Sequence, residues 1–293
     1  MRKTCSIFIL LDLKRLRYMN KNLKIFVLSF GRPNIPTLRW ISDKRNVTVL
    51  TSVDNKCLNS IETQGAELMV FDKSDFKGRG LEMMNEESVP QRRSAVYAYN
   101  YAIEWGREHG FKYVLVLDDD YTYTQSINDR KKHHPFLDKW AIHAVSFLEK
   151  YPFISTSCAI NCGELYAGTR RAYFSNIAKR QLMNTIIFNT DYKHYFHSLG
   201  NGDYIDQCML NTYSRTSIVR LATVTIVMET IDKKRHATID YSNPFYSRWS
   251  AKMASPAYVR IEFGLGGSNH GTEFRSRFNT HMIGRNNAPK ILC

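Results

Sequence analysis

The sequence has no long hydrophobic run. Its best amino-terminal stretch, Ile7–Leu11, is far shorter than the roughly 20 residues needed to span a bilayer, so no stable membrane association is expected. That stretch follows Arg2 and Lys3, but no A-x-A cleavage site comes after it and residues 12–17 are highly charged, which argues against a signal peptide. Residues 1–22 therefore read as a flexible extension, with Met19 as an alternative start. The six cysteines contain no C-x-x-C pair. Cys158 and Cys162 lie close together without the histidines that would complete a zinc set, so these read as thiols of a reducing compartment. P-loop, G-x-G-x-x-G and G-x-S-x-G patterns are missing after the apolar runs, which excludes a P-loop kinase, a dinucleotide-binding dehydrogenase and an α/β-hydrolase. Acidic residues are scarce against basic ones, 27 to 41, leaving a net charge of +14. That balance favours a polyanionic partner such as nucleic acid or a phosphorylated substrate, although surface charge kept for solubility would look the same.

What is present is an alternation of short apolar runs and amphipathic stretches. Strands are expected at Lys24–Ser29, Val47–Thr51, Glu67–Phe71 and Lys112–Asp120, with helices at Ile35–Ile41, Asn55–Gln64 and from Ser88 to its end at His109-Gly110. Alternation of this kind implies βαβ units and a mainly parallel sheet. The last helix has Ser88 as a cap, Pro90 in its first turn, and a packed face of Ala95, Ala98, Tyr99, Ala102, Ile103 and Gly106. Gln91, Arg92 and Arg93 fall in its first turn, where cations oppose the helix dipole. Either solvent or a bound diphosphate would compensate. The second half is less regular. A helix is expected at Leu137–Glu149, and strands at Phe153–Ser157, Asn184–Asn189 and within 221–231. His133-His134 reads as part of a solvated basic loop. The segment 166–180 interleaves aromatics with Arg170, Arg171, Lys179 and Arg180, a pattern suited to phosphates and stacked bases as well as to plain solvent.

The acidic cluster Asp118-Asp119-Asp120 closes the most buried of these strands. Ligands of open α/β sheets gather at the carboxyl ends of strands. Three carboxylates crowded there repel one another, and a hard divalent cation, Mg²⁺ or Mn²⁺, relieves that repulsion. Continued strand alternation puts Asp118 and Asp120 on one side and Asp119 on the other.

Together, Ser29-Phe30-Gly31-Arg32-Pro33 after the first strand, the helix bearing Asn100, and Leu117-Asp118-Asp119-Asp120 resemble a GT-A glycosyltransferase. More narrowly, they resemble the TET/JBP-associated glycosyltransferases of phages with hydroxymethylated pyrimidines. The resemblance covers about 24–211. It implies an α/β fold with a Rossmann-type, mainly parallel sheet flanked by helices: a nucleotide-sugar half at 23–130 and an acceptor half at 131–293 of the same domain.

It also implies a set of site residues. Asp118 and Asp120 would hold Mn²⁺ or Mg²⁺, with His270 joining from the glycine-rich loop and His236 as its rival. Ser29, Arg32, Thr51, Asp72, Asp118 and Asp119 would line the UDP-sugar pocket, and Arg92 or Arg93 would approach the diphosphate. Asp203, in Gly200-Asn201-Gly202-Asp203, takes the place of the acceptor-side base, with Asp206 one turn further on. Gly202 stands where the family often has a second acid, and a plain helix cap is the competing role for Asp203. The implied reaction is transfer of glucose or a pentose such as arabinose to 5-hydroxymethylcytosine, or another hydroxymethylpyrimidine, in duplex DNA. It would take place in the cytoplasm of an infected cell. The alternatives are a transferase acting on polysaccharide or lipid-linked glycan, and a DNA-binding module on an inactive fold.

Overall fold

A computed structural model describes residues 21–76, 95–126, 136–151, 154–161, 185–192, 217–228, 259–263 and 274–278. An eight-stranded sheet has the order β3-β2-β1-β4-β7-β6-β8-β5, and a separate hairpin pairs β10 with β9. The strands are β1 (Leu23–Leu28), β2 (Val47–Ser52), β3 (Glu67–Phe71), β4 (Tyr113–Asp118), β5 (Tyr121–Ser126), β6 (Ile154–Asn161), β7 (Ile186–Asn189), β8 (Ser217–Met228), β9 (Val259–Phe263) and β10 (Phe274–Phe278). The run β3-β2-β1-β4 is entirely parallel. Antiparallel pairing enters at β4–β7, β7–β6 and β8–β5, while β6 and β8 are parallel.

The unbroken apolar runs of β1 and β4 follow from burial on both faces. Leu23, Ile25 and Val27 of β1, with Tyr113, Leu115 and Leu117 of β4, pack into one core. Helix α2 (Leu137–Lys150) joins them through Trp140, Ala141, Ala144, Val145 and Leu148. Phe26 and Leu28, with Val114 and Val116, face the opposite core. Helix α1 (Ala95–Glu108) covers it with Ala98, Tyr99, Ala102 and Ile103. The expected small-residue face of α1 thus packs on the sheet. At Gly106 an added Cβ would run into the Val114 side chain, so the glycine sets how closely helix and strand approach. Arg107 pins the end of α1 to the far side of β7, through Nε to the Thr190 carbonyl (3.1 Å) and a terminal nitrogen to the Tyr192 carbonyl (2.9 Å).

Three expectations need correction. The segment 55–64 forms only a three-residue 3-10 turn, Leu58–Ser60, and the helix expected at 35–41 is likewise a 3-10 turn, Pro36–Trp40. Asn55 explains the first: its side chain accepts the Gly31 and Cys57 amides (both 3.0 Å), a local bonding pattern that competes with helix. The fourth strand ends at Asp118 rather than Asp120, and the alternating run Tyr121–Ser126, for which no element was expected, forms β5. The helix start at 88–94 and the loop at 128–134 lie outside the described residues.

Candidate active site

β1 connects to β2 on one side of the sheet, whereas β4 lies on its other side. The carboxyl ends of β1 and β4 therefore flank the point where strand order reverses, the position at which open α/β sheets leave a crevice. Their register brings Leu28 opposite Asp118, so the Ser29–Pro33 loop and the three aspartates are neighbours. Gly31 makes the turn possible: its φ of +79° is strained for any residue with a Cβ. The Asn55 side chain fixes that turn and also donates to the Thr51 hydroxyl (2.8 Å).

From this loop Arg32 reaches back to the acids. One terminal nitrogen lies 3.6 Å from Asp119 Oδ1 and the other 3.6 Å from Asp120 Oδ2. Both carboxylates therefore face one guanidinium. The expected alternation, with Asp119 opposite Asp120, does not hold because the chain bends after Asp118 and leaves strand geometry. Burial pushes the Asp119 carboxyl up to about 6. Arg32 opposes that shift, Asp120 adds to it, and hydrogen bonds from the Ser29 hydroxyl and the Phe30 amide partly offset it.

The bend is clamped from below by Thr37 and Tyr121. The Thr37 hydroxyl donates to the Asp118 carbonyl (2.6 Å) and accepts the Tyr121 amide (3.0 Å), while the Thr37 amide donates to the Asp119 carbonyl (3.4 Å). The fully buried Tyr121 hydroxyl accepts the Asp118 amide (3.1 Å) and the Thr185 hydroxyl (2.9 Å), and burial raises its pKa well above the usual phenol range. Trp40 Nε1 donates to the Tyr121 carbonyl (3.1 Å). None of Thr37, Tyr121, Asn55 and Trp40 was expected here. The one sequence signal is the bulky aromatic placed directly after the acids.

Among the expected site residues, the fold brings together Ser29, Arg32, Asp118, Asp119 and Asp120. Thr51 is 1% exposed and bonded to Asn55, inside the wall of the loop rather than on a surface. Asp72 follows β3, three strands from β4, and is exposed. Its carboxylate accepts the Ser74 amide at 2.8 Å. Arg92, Arg93, Asp203, Asp206 and His270, with His236, lie outside the described residues.

The donor set of the acidic bend fits a hard cation. Two buried carboxylates share one guanidinium, and the half-buried Asp118 adds further negative charge. Among the described residues no three His, Cys, Asp or Glu side chains converge to hold a metal. A cation here would need further donors, as Mg²⁺ and Mn²⁺ commonly take from phosphate and water. Among the described residues no helix is long and apolar enough to cross a membrane.

The fold has a counterpart among solved structures. A mycobacterial protein of known structure superposes with a TM-score of 0.50 at 11% identity, covering 90% of this chain and 85% of that one. Glucosyl-3-phosphoglycerate synthase from Mycobacterium tuberculosis superposes with a TM-score of 0.47 in its complex with Mg²⁺ and UDP. The identity is 11%, and the overlap covers 88% of this chain and 87% of that one. Its complex with Mn²⁺, UDP-glucose and glycerol 3-phosphate gives 0.48 at 11% identity, with 90% and 91% covered. A search of curated proteins finds no match. The model of the TET-associated glycosyltransferases, by contrast, matches residues 23–237, from the first strand through the acidic bend and well beyond it, and the chain belongs to that family.

Proposed function

We propose that this glycosyltransferase moves a sugar from a UDP-sugar to the hydroxymethyl group of 5-hydroxymethylcytosine, or a related hydroxymethylpyrimidine, in duplex DNA. The observation that carries the reading is the acidic bend at the strand-order reversal, with Arg32 across it. The family's association with TET enzymes, which act on DNA bases, and the +14 net charge support a DNA acceptor.

In this reading Asp118 and Asp120 would hold Mn²⁺ or Mg²⁺, with His270 as a further ligand, and the cation would supply positive charge where the diphosphate departs. Ser29, Asp119 and the loop built on Gly31 position the nucleotide end of the donor, with Thr51 behind that loop and Asp72 at its outer margin. Arg92 or Arg93 pairs with the diphosphate. Asp203 takes the proton of the acceptor hydroxyl as the anomeric carbon becomes cationic, with Asp206 as the second candidate. The acceptor base leaves the helical stack, because its hydroxymethyl group must reach a walled site. The nucleotide-sugar half spans 23–130 and the acceptor half 131–293, and the protein works in the cytoplasm of a phage-infected cell.

Mass spectrometry of hydroxymethylcytosine DNA incubated with the protein, Mn²⁺ and a panel of UDP-sugars tests the reading. A hexose or pentose adduct is expected, together with duplex binding that weakens steeply with salt. If no donor yields an adduct on DNA while a glycan acceptor is modified, the DNA acceptor is wrong.

A further inference from the structure

The two Arg32 pairs are loose for a partly buried guanidinium. Both contacts are 3.6 Å, beyond the 2.7–2.9 Å typical of charge-assisted hydrogen bonds, and they are split between two carboxylates rather than forked onto one. The Ser29 hydroxyl and the Phe30 amide also hold Asp119, so that carboxylate stays anchored if the guanidinium moves. Arg32 itself sits two residues beyond Phe30, one past the left-handed Gly31, on a loop tied to the sheet through the Asn55 side chain.

We propose that Arg32 is the resting counter-ion of the acidic bend. It pairs with the carboxylate oxygens that a divalent cation would take, so cation and guanidinium compete for Asp120. Once displaced, Arg32 becomes available to the donor diphosphate. This rests on the glycosyltransferase reading of the site and adds a linkage to it: the cation binds weakly alone and tightly with a nucleoside diphosphate, because the diphosphate re-pairs the arginine that the cation releases.

Direct Mn²⁺ binding to the full chain tests this without any turnover. The free Mn²⁺ signal is followed by electron paramagnetic resonance, with and without UDP, in the wild type, Arg32→Gln and Arg32→Lys. The wild type should bind Mn²⁺ more tightly with UDP by about fivefold or more. Arg32→Gln should bind Mn²⁺ alone more tightly than the wild type by a similar factor and lose most of the enhancement by UDP. Arg32→Lys keeps the charge, so it should stay near the wild type without UDP, and it serves as the folded control if the glutamine variant proves unstable. If Arg32→Gln binds Mn²⁺ alone no better than the wild type, or Arg32→Lys departs from the wild type as far as Arg32→Gln does, the counter-ion role is overturned. A wild type that binds no Mn²⁺ even with UDP overturns the glycosyltransferase reading of the site as well, which separates the two failures.

Discussion

The two ends of the same parallel strands carry charge clusters of opposite character. At the amino-terminal end, buried Lys24 of β1 meets Glu67 of β3 at 3.1 Å, and Thr48 of β2 donates to the same carboxylate at 2.7 Å. Lys24 also lies 5.4 Å from the centre of the Trp105 ring on α1. The Thr48 bond and, after it, the lysine hold the Glu67 carboxyl below its usual range, against some desolvation. At the carboxyl end, Arg32 stands 3.6 Å from two carboxylates, and burial drives Asp119 the other way, to about 6. One cluster has its charges matched at hydrogen-bonding distance. The other sets one guanidinium 3.6 Å from each of two buried carboxylates. Close pairs tie strands together, whereas carboxylates crowded in a crevice, one of them with a raised pKa, are the arrangement functional sites use to hold an ion or a reacting group.

The largest test of that contrast is Asp120→Ala. Transfer activity should fall on the order of a hundredfold, while the melting temperature without ligand holds or rises, since a buried like-charge contact is removed. UDP with Mn²⁺ should no longer raise the melting temperature of this variant as it does in the wild type. A large loss of stability would make the carboxyl-end cluster as structural as the other one.

Next comes Thr37→Val. It keeps the shape of the side chain but strips the hydroxyl from both the Asp118 carbonyl and the Tyr121 amide, which should cost about 2 kcal/mol in urea denaturation. It should also weaken Mn²⁺ affinity, because the bend loses its clamp.

Gly106→Ala probes the helix that both ends share. Its new methyl group meets Val114, at a cost of about 1–2 kcal/mol with unchanged donor affinity.

The smallest expected effect is Glu67→Gln. A carboxyl held low contributes stability that is present above its unfolded value and lost as pH falls through its folded pKa. The wild type should therefore lose melting temperature on acidification below the usual glutamate range more steeply than the variant does. Activity near neutral pH should be unaffected. A loss of activity there would break the distinction between the two ends.

Much of this was legible in the chain. The short apolar runs at 23–28, 47–52 and 113–118 read as strands buried on both faces, and 67–71 pairs beside them as the exposed edge strand. The three aspartates stood out because carboxylates crowded at a strand end repel one another and suit a cation, while Ser29 and Arg32 came only through the resemblance to glycosyltransferases. What the sequence mis-stated was local and side-chain driven. The segment 55–64 had helical spacing, but Asn55 bonds outward to Gly31 and Cys57. Asp119 and Asp120 were expected on opposite sides, but the chain bends between β4 and β5.

By itself, then, the sequence determined the four parallel strands, the closely packed helix at Gly106 and the crowding of carboxylates at a strand end. Local composition is enough to fix periodicity, propensity and charge. Only the tertiary structure decided that β1 and β4 are neighbours, that Arg32 faces Asp119 and Asp120 together, and that Thr37 and Tyr121 hold the bend. These are contacts between residues up to 90 positions apart. Nothing in the spacing along a chain encodes which strand ends meet. That is set by which apolar faces must be buried against each other.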